Sequence, residues 1–103
     1  MSESDKQAQF YAEGAAKAAQ WLHALANEYR LLVLCLLLEA GEMSVGELQA
    51  QIALSQSALS QHLARMREEG LITFRREAQT LYYRIDHPEV AQLIGTLKTI
   101  FCP

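Results

Sequence analysis

The sequence predicts a mainly α-helical chain with one small β-hairpin, in the order four helices, two strands, one helix. Three observations carry that expectation. Capping signals and apolar spacing of three and four mark helices up to Gly70 and again after Pro88, and the apolar period falls to two between Ile72 and Ile85. No Pro or Gly cluster, repeat or low-complexity stretch divides the chain, so the 103 residues read as one domain over 1–103.

Residues 8–26 are rich in alanine, with Phe10, Trp21, Leu22 and Leu25 interspersed, which favours a first helix able to pack closely. Asn27 is placed to cap a second helix running through Leu38. Its stretch Leu31–Leu38 is apolar on every face, as in a central buried helix, and Gly41 ends it. Ser44-Val45-Gly46-Glu47 fits a capping box, so a short third helix should reach about Ile52.

Ser55 is the next N-cap, opening a fourth helix that ends at Gly70. At about 100° per residue, Ala58, Leu59, Leu63 and Met66 fall on one side of it, and Ser57, Ser60, Gln61, Ala64 and Glu68 on the other. Ile72 and Phe74 then alternate with Thr73 and Arg75, and Leu81, Tyr83 and Ile85 with Tyr82 and Arg84, across a turn near Glu77-Ala78-Gln79. This predicts a hairpin with an apolar inner face from which Tyr82 points away. Pro88 opens a fifth helix whose stripe Val90, Leu93, Ile94, Leu97 and Phe101 needs a partner.

Half the residues are apolar and 20% are charged, a balance that builds one modest core and excludes a large multidomain enzyme. The longest apolar run, Leu31–Leu38, is far short of the ~18 residues that span a bilayer. The polar, acidic N-terminus does not resemble a secretory signal, so the expected location is the cytoplasm with no membrane partner. Net charge is −3, unevenly spread: residues 55–84 hold five Arg against three Glu, and the rest holds four basic against nine acidic residues. One basic stretch on an acidic body suggests a local polyanion contact.

Two short helices joined by a tight turn, the second with an outer face of Ser and Gln, form a helix-turn-helix pattern, and the basic hairpin after it makes the winged variety. A recognition helix entering the major groove needs small residues for close approach and amides or hydroxyls for base edges. Gln56, Ser57, Ser60 and Gln61 meet that need, while Arg65, Arg67, Arg75 and Arg76 suit phosphates or a wing contact in the minor groove.

The strings Met43-Ser44-Val45-Gly46-Glu47-Leu48, Leu54-Ser55-Gln56-Ser57-Ala58-Leu59-Ser60-Gln61-His62-Leu63 and Glu69-Gly70-Leu71-Ile72 resemble the ArsR family of bacterial repressors over nearly the whole chain. Within it, Leu34-Cys35, Arg76-Glu77-Ala78-Gln79-Thr80 and Phe101-Cys102 look most like the HlyU/SqrR/BigR/YgaV-like branch. The resemblance implies a homodimer joined through the first and fifth helices and bound to a DNA operator dyad. It also implies that Cys35 and Cys102 sense reactive sulfur species or oxidants, their linkage releasing DNA. No cofactor and no catalytic residue is implied.

Two departures from the wider family bear on metals. Ser44 and Gly46 stand where arsenic-sensing members carry thiols, and Gln92–Phe101 holds none of the His and carboxylate pairs of zinc-sensing members, so no metal site is expected. By sequence alone Cys35 also reads as a small core residue, and His62, near the apolar face of the fourth helix, as a packed or hydrogen-bonded histidine. His23 and His87 read as surface residues. A DNA-binding anti-silencer or constitutive regulator without sensing, a metal-responsive repressor, a helix-turn-helix used only for protein contacts, and a Cys/His enzyme stand as alternatives. The last lacks a Gly-rich phosphate loop, paired carboxylates or a Ser elbow.

Overall fold

The computed structural model describes residues 3–101. Its first helix, α1, runs Glu3–Leu25, five residues earlier than expected, with the wider π-helical turn Phe10–Gly14 inside it. Glu3 and Asp5 in the first turn complement the positive end of the helix. Gly14 is small for a packing reason: a Cβ there would lie 2.9 Å from Cδ2 of Phe10, whose ring covers the position.

Asn27 caps α2 (Glu28–Ala40), its side chain accepting from the backbone N–H groups of Tyr29 and Arg30. Gly41, at φ 85°, stops the helix and donates its N–H to Leu37. The burial of α2 is one-sided, contrary to the expectation of a helix enclosed all round. Val33, Leu34 and Leu37 are buried, Cys35 and Leu38 are half-buried, and Leu32 is 44% exposed. In a domain this small, α2 has neighbours on part of its circumference only.

Helix α3 (Val45–Gln51) opens on the complete capping box of Ser44 and Glu47, and α4 (Gln56–Glu68) on Ser55, which accepts from the Ala58 N–H. A Schellman motif closes α4. Gly70 takes φ 77° and donates to Arg67, Leu71 donates to Met66, and the side chains of Leu71 and Met66 are both fully buried.

The sheet holds one strand more than expected. Strand β1 (Met43–Ser44) pairs with β3 (Thr80–Ile85), which pairs with β2 (Ile72–Glu77), giving the order β1-β3-β2, antiparallel throughout. Two residues are too few to show alternation in a sequence. Ser44 thereby serves twice, pairing with Tyr82 and capping α3. Helix α5 (Pro88–Phe101) lays Val90 and Ile94 into the core that Leu34, Leu48, Leu59, Leu63, Met66 and Leu71 share.

Candidate nucleic-acid interface

Burial of Leu59, Leu63 and Met66 fixes the rotation of α4, and this decides what the helix offers outward. Ser57, Gln61, Ala64 and Glu68 lie on its exposed face. Gln56 and Ser60 occupy the flank toward the hairpin, lining a crevice with Ser44 and Gly46 of the β1–α3 corner and Gln79 and Thr80 at the wing tip. Arg67 is on that flank too, its guanidinium 4.2 Å from the ring centre of Phe74 in β2. Arg65 sits on the opposite flank, 3.6 Å from Glu69 and beside Ala16, Gln20 and His23 of α1. The fold thus gathers Gln56, Ser60 and Arg67 on the flank between helix and wing, leaves Ser57 and Gln61 on the adjoining outward face, and sets Arg65 apart.

Strand β2 of the wing separates its two arginines in the same way. In the register Phe74↔Tyr83 and Arg75↔Tyr82, side chains alternate between faces. Phe74, with its ring 5.5 Å from that of Tyr83, points inward, and Tyr82 points outward as expected. Arg76 shares the face of Phe74 near the exposed tip and makes no ion pair among the described residues. Arg75 is on the outer face and is occupied: Glu42 accepts from its Nε at 3.1 Å and its Nη2 at 2.6 Å, and Glu77 from its Nη1 at 3.0 Å. The hydrogen bond from Arg75 holds the Glu42 carboxyl below its ordinary range. Glu42 drew no notice in the sequence, where an acid between Gly41 and Met43 reads as a solvated turn residue.

His62 is hydrogen-bonded, as its position suggested. Arg30 Nε donates to its Nδ1 at 3.0 Å and Arg30 Nη1 to the Ala24 carbonyl at 3.1 Å, tying α4 to the α1–α2 corner. His23 and His87 are exposed, His87 stacked on Trp21 with ring centres 6.2 Å apart. Cys35 is half-buried on α2, whereas Cys102 lies outside the described residues. Among the described residues no single helix is long and apolar enough to cross a membrane.

A helix pair at a tight turn, an exposed Ser/Gln face on its second member and a hairpin at its side define a winged helix-turn-helix DNA-binding protein. The family described as "Bacterial regulatory protein, arsR family" matches residues 27–73. The chain is 50% identical over 87% of its length to the transcriptional activator HlyU of Vibrio cholerae, spanning 82% of that protein. It is 48% identical over 86% of its length to the HTH-type transcriptional regulator YgaV of Escherichia coli, spanning 90% of it. The structure of reduced HlyU from Vibrio cholerae superposes with a TM-score of 0.86 at 48% identity, over 92% of this chain and 99% of that one. The repressor BigR from Xylella fastidiosa gives 0.82 at 38% identity, over 100% and 99%. The chain belongs to the ArsR family of bacterial regulators. It is accordingly a DNA-binding transcriptional regulator and not an enzyme.

Proposed function

We propose that the chain is a homodimeric operator-binding repressor whose hold on DNA is switched by the thiols of Cys35 and Cys102. One observation on α2 carries the reading. Leu38 and Glu39 stand three and four residues beyond Cys35 and so share its side of the helix. Both meet α5: Leu38 Cδ2 lies 4.0 Å from the Cβ position of Gly95, and Glu39 pairs with Lys98. Cys35 therefore sits one turn from where α5 docks, on the stripe facing it, and Cys102 follows the last described residue of α5 in sequence. A link between the two thiols would fasten α5 to α2.

The dimer is supported by apolar surface on the two outer helices, where Phe10 and Tyr11 of α1 and Ile100 and Phe101 of α5 are exposed. Two recognition helices must meet half-sites together, so a shift of α5 alters their spacing. A direct disulfide passes two electrons and two protons from the thiols to an oxidant such as hydrogen peroxide, which is reduced to water, and requires Cα atoms within ~7 Å. A persulfide donor passes one sulfur to each thiol and leaves as its own thiol. Attack of one cysteine persulfide on the other then expels hydrogen sulfide and leaves one inserted sulfur, or a two-electron oxidant such as peroxide couples the two persulfides and leaves two. A wider gap is thus bridged, and persulfides are favoured over peroxide alone as inducers.

The test is operator footprinting of the parent, Cys35→Ser and Cys102→Ser proteins before and after a persulfide donor. All three bind two half-sites about one helical turn apart when reduced. Only the parent then loses affinity, by roughly 5- to 150-fold, the range of an ordinary allosteric coupling. Intact mass shows an intramolecular link in the parent alone. Release of either single variant by the donor refutes the two-thiol switch, and protection of one asymmetric site by a monomer refutes the dimer.

A further inference from the structure

We propose that Arg75 and Glu42 position the wing for DNA and that Arg75 is not itself a phosphate contact. All three nitrogens of the Arg75 guanidinium are engaged by carboxylates, Nε and Nη2 by Glu42 and Nη1 by Glu77. Its carbon lies 4.5 Å from the ring centre of Tyr82, which covers one face of the group. With Arg84, which shares this face of the sheet and also acts on Glu42, the cluster sets two acids against two cations, so Arg75 is neutralised where it stands and offers little to attract a phosphate.

The place of the pair in the sheet explains its use. In the order β1-β3-β2, Glu42 immediately precedes β1 and Arg75 belongs to β2, so their bond passes over Tyr82 of the central strand and joins the two edges. β1 is only two residues long, so its ladder ties the outer face of the hairpin to the α2–β1 corner at two residue pairs, while buried Ile72 and Tyr83 anchor the inner face. The same corner starts α3 through Ser44, which lines the crevice with Gln56 and Ser60 of α4. A clamp from Glu42 to Arg75 therefore fixes the wing relative to the recognition helix. Isolated surface ion pairs contribute little, but a two-point Arg–carboxylate contact within a charge network is the exception.

The two roles predict opposite signs for Glu42→Gln. If Arg75 bound phosphate, removing its acid would release it and strengthen binding. If the pair is a clamp, the wing loosens and binding to operator weakens. Operator and unrelated duplex affinities, measured across salt concentrations, decide it for Glu42→Gln, Arg75→Ala, Arg75→Lys and the Glu42→Gln/Arg75→Ala double variant. Circular dichroism confirms that each is folded. We expect each single variant to lose about fivefold in operator affinity relative to unrelated DNA, and the double variant to lose no more than the worse single. The slope of log affinity against log salt stays that of the parent. Arg75→Lys fails with Arg75→Ala, since an ammonium keeps the charge but not the fork. Unchanged or tighter operator binding by Glu42→Gln overturns the proposal, as does a slope lowered by ~1 in Arg75→Ala with Arg75→Lys intact.

Discussion

The body of the molecule from α2 to β3 and the two helices that flank it treat apolar residues differently. Between Glu28 and Ile85 the large aliphatic side chains mostly turn inward, and Leu34, Leu48, Leu59, Leu63 and Leu71 have no exposed surface. In the first half of α1 and at the end of α5 the large apolar residues face out: Phe10 is 51% exposed, Tyr11 76%, Ile100 64% and Phe101 75%. One subunit can satisfy the first set alone. The second set gains burial only from another surface, so the DNA-reading body and the outer helices divide folding from association.

Truncation at each end of that division should break it most visibly. Leu63 is wholly buried on the inner face of the recognition helix α4, and Leu63→Ala should lower unfolding free energy by about 2–5 kcal/mol in chemical denaturation. Phe101→Ala removes a larger side chain yet should leave the intrinsic stability of the subunit nearly untouched, shifting instead the monomer–dimer balance seen by sedimentation. Equal destabilisation by the two variants in dilute, monomeric protein would erase the distinction.

Within the body, the comparison sharpens to helix against wing. Gln61 is on the outward face of α4 among small residues, where an amide reaches a base edge, so Gln61→Ala should lose ~1–3 kcal/mol of preference for operator over altered sites. Arg76, at the exposed inner face of the wing tip, should act through charge alone. Arg76→Ala should weaken all duplexes alike and reduce the salt slope by ~1. A sequence-selective loss from Arg76→Ala, or a uniform one from Gln61→Ala, would reverse the two roles.

What the sequence made legible was local. Caps, periodicity and the glycine stop of α4 act within a few residues, and Asn27, Ser44, Ser55 and Gly70 each perform the task their neighbours imply. The outer face of α4 could be read because Leu59, Leu63 and Met66 fix its rotation. Contacts that join distant residues left no trace. Glu42 and Arg75 are 33 positions apart, and Met43 pairs with Tyr83 across an even longer stretch of chain, and neither pairing has a periodic signal. The eight-residue apolar run of α2 misled for a related reason: composition reports how much a helix could bury, and only the neighbours decide which side does. Arg65, Arg67, Arg75 and Arg76 looked equivalent, yet strand alternation and helix rotation sent Arg65 toward α1 and Arg75 to the far face of the wing.

The smallest effect concerns the seam between α4 and the α1–α2 corner, where one histidine joins the two. Nδ1 of His62 accepts from Arg30 and so must carry a lone pair, which the imidazolium lacks. Burial, and secondarily the Arg30 charge, hold the His62 pKa below its ordinary value of 6.5. Well above pH 6.5 the residue is neutral folded or unfolded, and its bond is intact. As pH falls through 6.5 the unfolded chain takes up the proton first, so stability declines, and it goes on declining until the folded value is passed. Thermal melts from about pH 7.5 to about pH 5 should therefore show a falling midpoint in the parent, with a shallower fall in His62→Gln, whose amide oxygen accepts from Arg30 without titrating. Because His62 lies between Gln61 and Leu63, the same acidification should loosen operator binding less in His62→Gln than in the parent. Parallel melting curves for the two proteins across this range would show that the Arg30–His62 bond does not govern the acid response.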